Sequence, residues 1–201
     1  MASNLLSTSG MKKIAIIDDN DTERLILRGF IEDAGFAIVA EGTNGMEALE
    51  ICRLKDPDLI IMDVKMPVKD GIEAAFEISH SFPKPIVLLT GSDDEETVRR
   101  AAEAGVMAYL MKPLRAEELI PAVELAISRF REFQALRREN EDLKKTLETR
   151  KVVEKAKGLL MEKEGLSESE AFARIRKISM DKRKSMSEIA EVLIMALEKG
   201  R

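Results

Sequence analysis

Three carboxylates, a hydroxyl and an ammonium stand at the ends of apolar runs in this chain. Asp18 and Asp19 close "IAIIDD", Asp63 closes "LIIMD", Thr90 closes "IVLLT", and Lys112 follows "AYLM". Two adjacent acids at the end of an apolar run are unfavourable, because like charges repel and desolvation penalises the charged form. A hard divalent cation taken up through oxygen atoms, Mg²⁺ above all, relieves that repulsion. A hydroxyl and an ammonium on the same rim suit the remaining oxygens of a phosphoryl group. One carboxylate can then act as nucleophile and become an acyl phosphate. Asp63 is the candidate, since it enters from its own strand and faces the other two acids.

Such convergence needs a scaffold that brings several strand ends together. "KKIAII" is a short apolar run, followed by a helix from Thr22 with Asn20 as N-cap and Glu23 at the capping-box position. "AIVAEG" precedes the amphipathic "GMEALEICRLK"; "DLIIMDV" is apolar almost throughout, as a strand covered on both faces should be. "GIEAAFEIS" returns to helix, "PIVLLTG" to strand, "SDDEETVRRAAEAG" to a helix with a Ser92 to Glu95 capping box and Gly105 at its end, and "AYLMK" is the last strand. Five strands alternating with helices predict an α/β doubly wound, five-stranded parallel sheet. In such sheets chemistry collects at the carboxyl ends of strands.

From about Ala116 the pattern is helical for nearly fifty residues, with Pro121 expected to kink the first turns. Phe133, Leu136, Asn140, Leu143 and Leu147 recur at spacings of 3, 4, 3 and 4, with Asn140 a register-fixing polar residue. The seam suits a parallel homodimer through residues 130–150 or packing within one chain. After it the apolar phase shifts to Val152, Val153, Ala156, Leu159 and Leu160, and Gly165 ends the helix. Two more helices open with capping boxes, Ser167 to Glu170 and Ser185 to Glu188, and the second stops at Gly200. The expected organisation is a flexible tail over 1–10, an α/β domain over 11–128, a helical coiled-coil linker over 129–150 and a three-helix all-α domain over 151–201. The last is too small to be stable without neighbours or a partner.

Bulk properties narrow the function classes. At 45% hydrophobic and 34% charged residues the chain reads as soluble and folded, with no run long enough for a membrane span and no membrane partner. "MASNLLSTSG" lacks the basic and apolar parts of a signal peptide. One cysteine, Cys52, forms no internal disulfide; its helical setting makes it a plain buried thiol, and a cytoplasmic location fits. His80 is the only histidine, which removes His-based metal sites and Ser-His-Asp triads. Charge is unevenly placed: residues 1–127 carry 13 Lys+Arg against 23 Asp+Glu, and residues 128–201 carry 19 against 14. The second module is the better suited to a polyanion.

In their order, "IIDDN", "IIMDVKMPVKDG", "LLTG" and "YLMKP" closely resemble the receiver domain of bacterial response regulators over roughly residues 11–128. The resemblance implies Asp63 as phosphoacceptor for a sensor histidine kinase, with Asp18, Asp19, Asp63 and the Lys65 backbone carbonyl on Mg²⁺. It also implies Thr90 as switch hydroxyl, Lys112 as phosphate contact with a cis peptide to Pro113, and Tyr109 as the aromatic that moves with Thr90. No enzymatic activity is expected beyond self-phosphorylation from a donor and slow dephosphorylation.

Residues 137–195 resemble the ANTAR output domain of transcription antitermination regulators. The matching residues include Ala156-Lys157-Gly158, Leu160-Met161, Ala171-Phe172, Arg176, Ser179-Met180, Arg183 and Ala190. Members bind RNA hairpins and prevent terminator formation, so the resemblance implies an RNA partner. In the residues themselves, Ala171, Phe172, Ile175 and Ile178 form an apolar stripe, which puts Phe172 in the core. Arg174 and Lys177 lie on another face, Lys182, Arg183 and Lys184 follow, and with Lys157 and Arg176 they make either a phosphate-following patch or a solvated turn. Gly158 inside a helix costs about 1 kcal/mol against Ala, which a close approach by a helix or a nucleic acid backbone offsets. Two other outputs stay open: a DNA-binding factor, opposed by Glu188, Glu191 and Glu198 on the last helix, and a protein-interaction module.

Overall fold

The computed structural model describes residues 11–91 and 95–199; the tail over 1–10, the Ser92 cap and the Gly200 stop lie outside the described residues. Two compact units divide the chain, Met1–Phe133 and Gln134–Arg201.

The first unit alternates β1 (Lys13–Ile17), α1 (Asp21–Asp33), β2 (Ala37–Gly42), α2 (Gly45–Lys55), β3 (Leu59–Asp63), α3 (Gly71–Ser81), β4 (Ile86–Thr90), α4 (Glu95–Glu103) and β5 (Ala108–Met111), followed by the start of α5 (Ala116–Glu164). The strands are parallel in the order β2-β1-β3-β4-β5. The order reverses beside β1, so the ends of β1 and β3 flank the crevice where open α/β sheets bind ligands. Ile17 is in register with Met62 and Thr90 with Met111, which brings Asp18, Asp63, Thr90 and Lys112 to one rim.

Side chains alternate across the sheet with period two. Ala15, Ile17, Ile60, Met62 and Leu88 pack with Cys52, Ile72, Ile78 and Ala101 of α2, α3 and α4. On the other face Ile14, Ile16, Ile61, Val87 and Leu89 pack with Leu27 and Ile31 of α1 and Leu119 and Val123 of α5. Burial pushes the Cys52 thiol up to about 11.

Two loop details shape the site. A Cβ on Gly71 would lie 2.0 Å from the Asp63 carbonyl oxygen, so only glycine lets α3 start against the backbone of Asp63. Val68 has φ +68° at the centre of a γ-turn, in which Lys69 N–H donates to the Pro67 carbonyl at 2.7 Å.

In the second unit α5 ends at Glu164, with Gly165 at φ +69°, and is followed by α6 (Glu168–Lys182) and α7 (Met186–Lys199). Pro121 does not interrupt α5. Ser167 and Glu170 form the reciprocal capping box, and Ser185 and Glu188 make the same two exchanges, Ser185 N–H to Glu188 at 2.8 Å and Glu188 N–H to Ser185 Oγ at 3.2 Å. Val153, Ala156, Leu160, Ala171, Ile175, Ile189 and Ala190 form a small core. Along α5, Leu136 and Leu143 are 65% and 62% exposed, and Phe133, Asn140 and Leu147 are exposed too.

Candidate functional site

The carboxyl ends of β1, β3 and β5 meet at Lys112. Its Nζ donates to Asp63 Oδ1 at 2.7 Å and to Asp18 Oδ2 at 2.9 Å, and it also pairs with Glu23. Asp63 Oδ2 accepts from Lys65 N–H at 3.0 Å, so both oxygens of this carboxylate are held. Lys112 N–H donates to the Thr90 carbonyl at 2.7 Å, which ties the ends of β4 and β5 together. Asp18, Asp63 and Thr90 are buried, and the Lys112–Pro113 peptide is cis. Tyr109, half-buried on β5, packs against the core face that carries Met62 and Leu88.

Electrostatics make the pair asymmetric. Burial raises the Asp63 pKa; the Lys112 hydrogen bond pulls it back, Asp18 adds repulsion, and the net shift is upward. For Lys112 burial acts to lower the pKa, but hydrogen bonds to Asp63, Glu23 and Asp18 outweigh it and hold the ammonium protonated. A permanent cation therefore sits between Asp18 and Asp63.

The expectation of three converging carboxylates is met by two. Asp18 and Asp63 come within reach of one cationic atom, whereas Asp19 is exposed, and no group of three or more acidic, His or Cys side chains is poised around a metal among the described residues. The ammonium of Lys112 stands between Asp18 and Asp63 and supplies the counter-charge. The carboxylate oxygens of Asp18, Asp19 and Asp63 and the Lys65 carbonyl are hard donors, the kind that Mg²⁺ takes, so the chemistry of the residues fits that ion.

Glu23 is the site residue that sequence reasoning missed. Asn20 Oδ1 accepts from Thr22 and Glu23 N–H as an N-cap should, but the Asn20 N–H goes to Asp18 Oδ1 at 2.9 Å. With the reciprocal capping bond taken by Asp18, the Glu23 carboxylate turns to Lys112 instead.

The second unit corrects two expectations. Lys157 is not part of an open basic patch: it is buried and donates to Glu168 at 2.7 Å and Glu154 at 3.0 Å, and these bonds, Glu168 first, raise its pKa. Its charge is consumed in joining α5 to α6. Phe172 is not in the core but 43% exposed, because Ala171, Ile175 and Ile178 already form the buried stripe and Phe172 sits one residue off it. Arg174 pairs with Glu164, and Lys184 lies 3.9 Å from Glu188. Arg176, Lys177, Lys182 and Arg183 are exposed and make no ion pair among the described residues. Around Gly158 nothing lies within 4 Å of an added Cβ, so no close helix approach among the described residues explains that glycine.

Residues 14–124 match the response regulator receiver domain family. The chain belongs to the response regulators. Residues 141–194 match the ANTAR domain, which makes this an ANTAR response regulator. It is 47% identical over 186 residues to the transcriptional regulatory protein PdtaR of Mycobacterium tuberculosis, covering 92% of this chain and 91% of that protein. Among solved structures, the signal receiver domain of a modulated diguanylate cyclase from Desulfovibrio desulfuricans is 29% identical with a TM-score of 0.57, covering 60% of this chain and 97% of that one. A LuxR-family two-component response regulator from Aurantimonas is 30% identical with a TM-score of 0.56, covering 59% and 86%.

Proposed function

We propose that this response regulator is phosphorylated on Asp63 by a partner sensor histidine kinase, and that its ANTAR unit then binds RNA hairpins to cause transcription antitermination. The observation that carries the first half is the contact between Lys112 and Asp63 at 2.7 Å, an ammonium beside a carboxylate at the end of β3. One Asp63 oxygen attacks the donor's phosphorus and forms a P–O bond. The bond from phosphorus to the donor breaks, and its electron pair leaves with the donor. Lys112 exchanges a carboxylate oxygen for a phosphoryl oxygen, and Lys65 N–H keeps the attacking group aligned. Asp18, Asp19, Asp63 and the Lys65 carbonyl would hold Mg²⁺, which when bound neutralises charge on the transferring group. The Thr90 hydroxyl and Tyr109 relay the new charge to the rest of the domain. The chain catalyses no other reaction.

Support for the second half comes from the uncompensated cations Arg176, Lys177, Lys182 and Arg183, joined by the partly paired Arg174 and Lys184; Lys157 stays within the fold. Phosphorylation promotes homodimerisation through the exposed residues of 130–150, so that two basic units act on one RNA with gain in avidity. The DNA-binding alternative is disfavoured because α7, the last helix and the one a helix-turn-helix reader would lay in the major groove, exposes Glu188, Glu191 and Glu198. Among the described residues no helix is long and apolar enough to cross a membrane, and a cytoplasmic setting suits both partners. A gel shift comparing hairpin RNA with duplex DNA, before and after acetyl phosphate treatment, tests the whole. RNA binding should tighten on phosphorylation and Asp63→Ala should abolish the response; equal binding by both forms contradicts the coupling, and a preference for the duplex contradicts the output.

A further inference from the structure

The outer face of α6 carries an aromatic ring that the fold does not need. Phe172 is the only aromatic residue of the second unit, and it is 43% exposed. With Arg176, Lys177, Met180 and Asp181 it lines an open depression of about 300 Å³. Residues 172, 176 and 180 follow each other at intervals of four, so they form one stripe along the helix. Met180 at the far end is 68% exposed.

We propose that this depression is a stacking platform for one unpaired base of an RNA loop. The proposal rests on the RNA-binding reading of the ANTAR unit and adds the residues that touch a base. Two physical features favour a nucleotide as occupant. Its lining has a polarisable ring at one end and a thioether at the other, with the planar guanidinium of Arg176 between them, which suits a flat heteroaromatic. Two cations line it, Arg176 and Lys177, neither in an ion pair among the described residues, against the single carboxylate of Asp181, so a net positive charge faces the phosphate of the stacked nucleotide. Lys182 and Arg183, at the C-terminal end of the same helix, extend that charge toward the next phosphates. An amphipathic protein helix would want a continuous apolar stripe, and here Arg176 interrupts it between Phe172 and Met180.

The test uses the full chain treated with acetyl phosphate and Mg²⁺ and a probe obtained with it: hairpin RNAs of random loop sequence are enriched on the wild type, and the selected hairpin is remade with 2-aminopurine at each loop position in turn. Binding should quench the fluorescence of 2-aminopurine at one position. Phe172→Leu should weaken binding about tenfold and abolish that quench while leaving the salt dependence unchanged, and Phe172→Tyr should restore both. Arg176→Gln should instead reduce the slope of log K against log salt by about one contact's worth. Circular dichroism of Phe172→Leu checks that the helices are intact. Wild-type affinity and quench retained in Phe172→Leu would overturn the platform and leave the RNA-binding reading standing. If the wild type enriches no hairpin, both fall. Unchanged RNA binding with altered self-association of Phe172→Leu would assign the face to protein contact instead.

Discussion

Lys112 and Glu23 are paired across the rim of the receiver, although one directly follows β5 and the other lies in the first turn of α1. An ammonium has three donors, and those of Lys112 are engaged by Asp63, Asp18 and Glu23. A phosphoryl oxygen can reach Lys112 only by displacing one of the three. Glu23, whose side chain is 38% exposed, is the replaceable partner, since Asp18 and Asp63 are buried at the site itself.

Glu23→Gln should therefore raise the rate of Asp63 phosphorylation several-fold at low acetyl phosphate, with little change at saturation. In a Lys112→Ala background the same substitution should have no effect. A rate gain that survives without Lys112 would show that Glu23 acts by general charge and not by occupying the ammonium.

Val68 holds a left-handed conformation that β-branched residues adopt at a cost of about 1–2 kcal/mol, and at 85% exposure it gains no compensating burial. Val68→Asn should stabilise the receiver by about 1 kcal/mol in urea titration of the full chain. Equal or lower stability would mean that the γ-turn relaxes without strain.

Cys52 sets a pH dependence. Burial raises its pKa from 9.0 to about 11, so the folded chain holds the thiol proton more tightly than the unfolded chain does. That stability is fully present below pH 9 and is lost as pH rises through 11, by about 3 kcal/mol at most. Urea melts of wild type and Cys52→Ala should run parallel up to pH 9 and converge or cross above it, and the native thiol should resist alkylation at neutral pH.

Lys157 and Arg176 should separate cleanly. Lys157→Gln removes the group bonded to Glu168 and Glu154 and should lower thermal stability with little direct loss of RNA contacts. Arg176→Gln should weaken RNA binding at unchanged stability. The reverse pattern would return Lys157 to the binding surface.

Much of the receiver was legible because its strands carry period-two and all-apolar runs that end abruptly in polar residues. "LIIMD" announces both a buried strand and the acid at its carboxyl end, and parallel topology then gathers Asp18, Asp63, Thr90 and Lys112. Glu23 was hidden because its spacing from Asn20 matches a local capping motif, while its real partner is Lys112, far along the chain. Lys157 was misjudged because a count of charges does not show which lysine a neighbouring helix neutralises; Glu168 lies on α6, beyond the Gly165 turn. Phe172 was misjudged because four apolar residues lie close together on α6 and only packing decides which of them is left outside.

The most direct test of the central claim is the site and stoichiometry of labelling by acetyl phosphate with Mg²⁺, read by peptide mass spectrometry. One phosphoryl group on Asp63, absent from Asp63→Ala and greatly reduced in Lys112→Ala, is the expected result. Label on another residue, or undiminished label in Asp63→Ala, would contradict it.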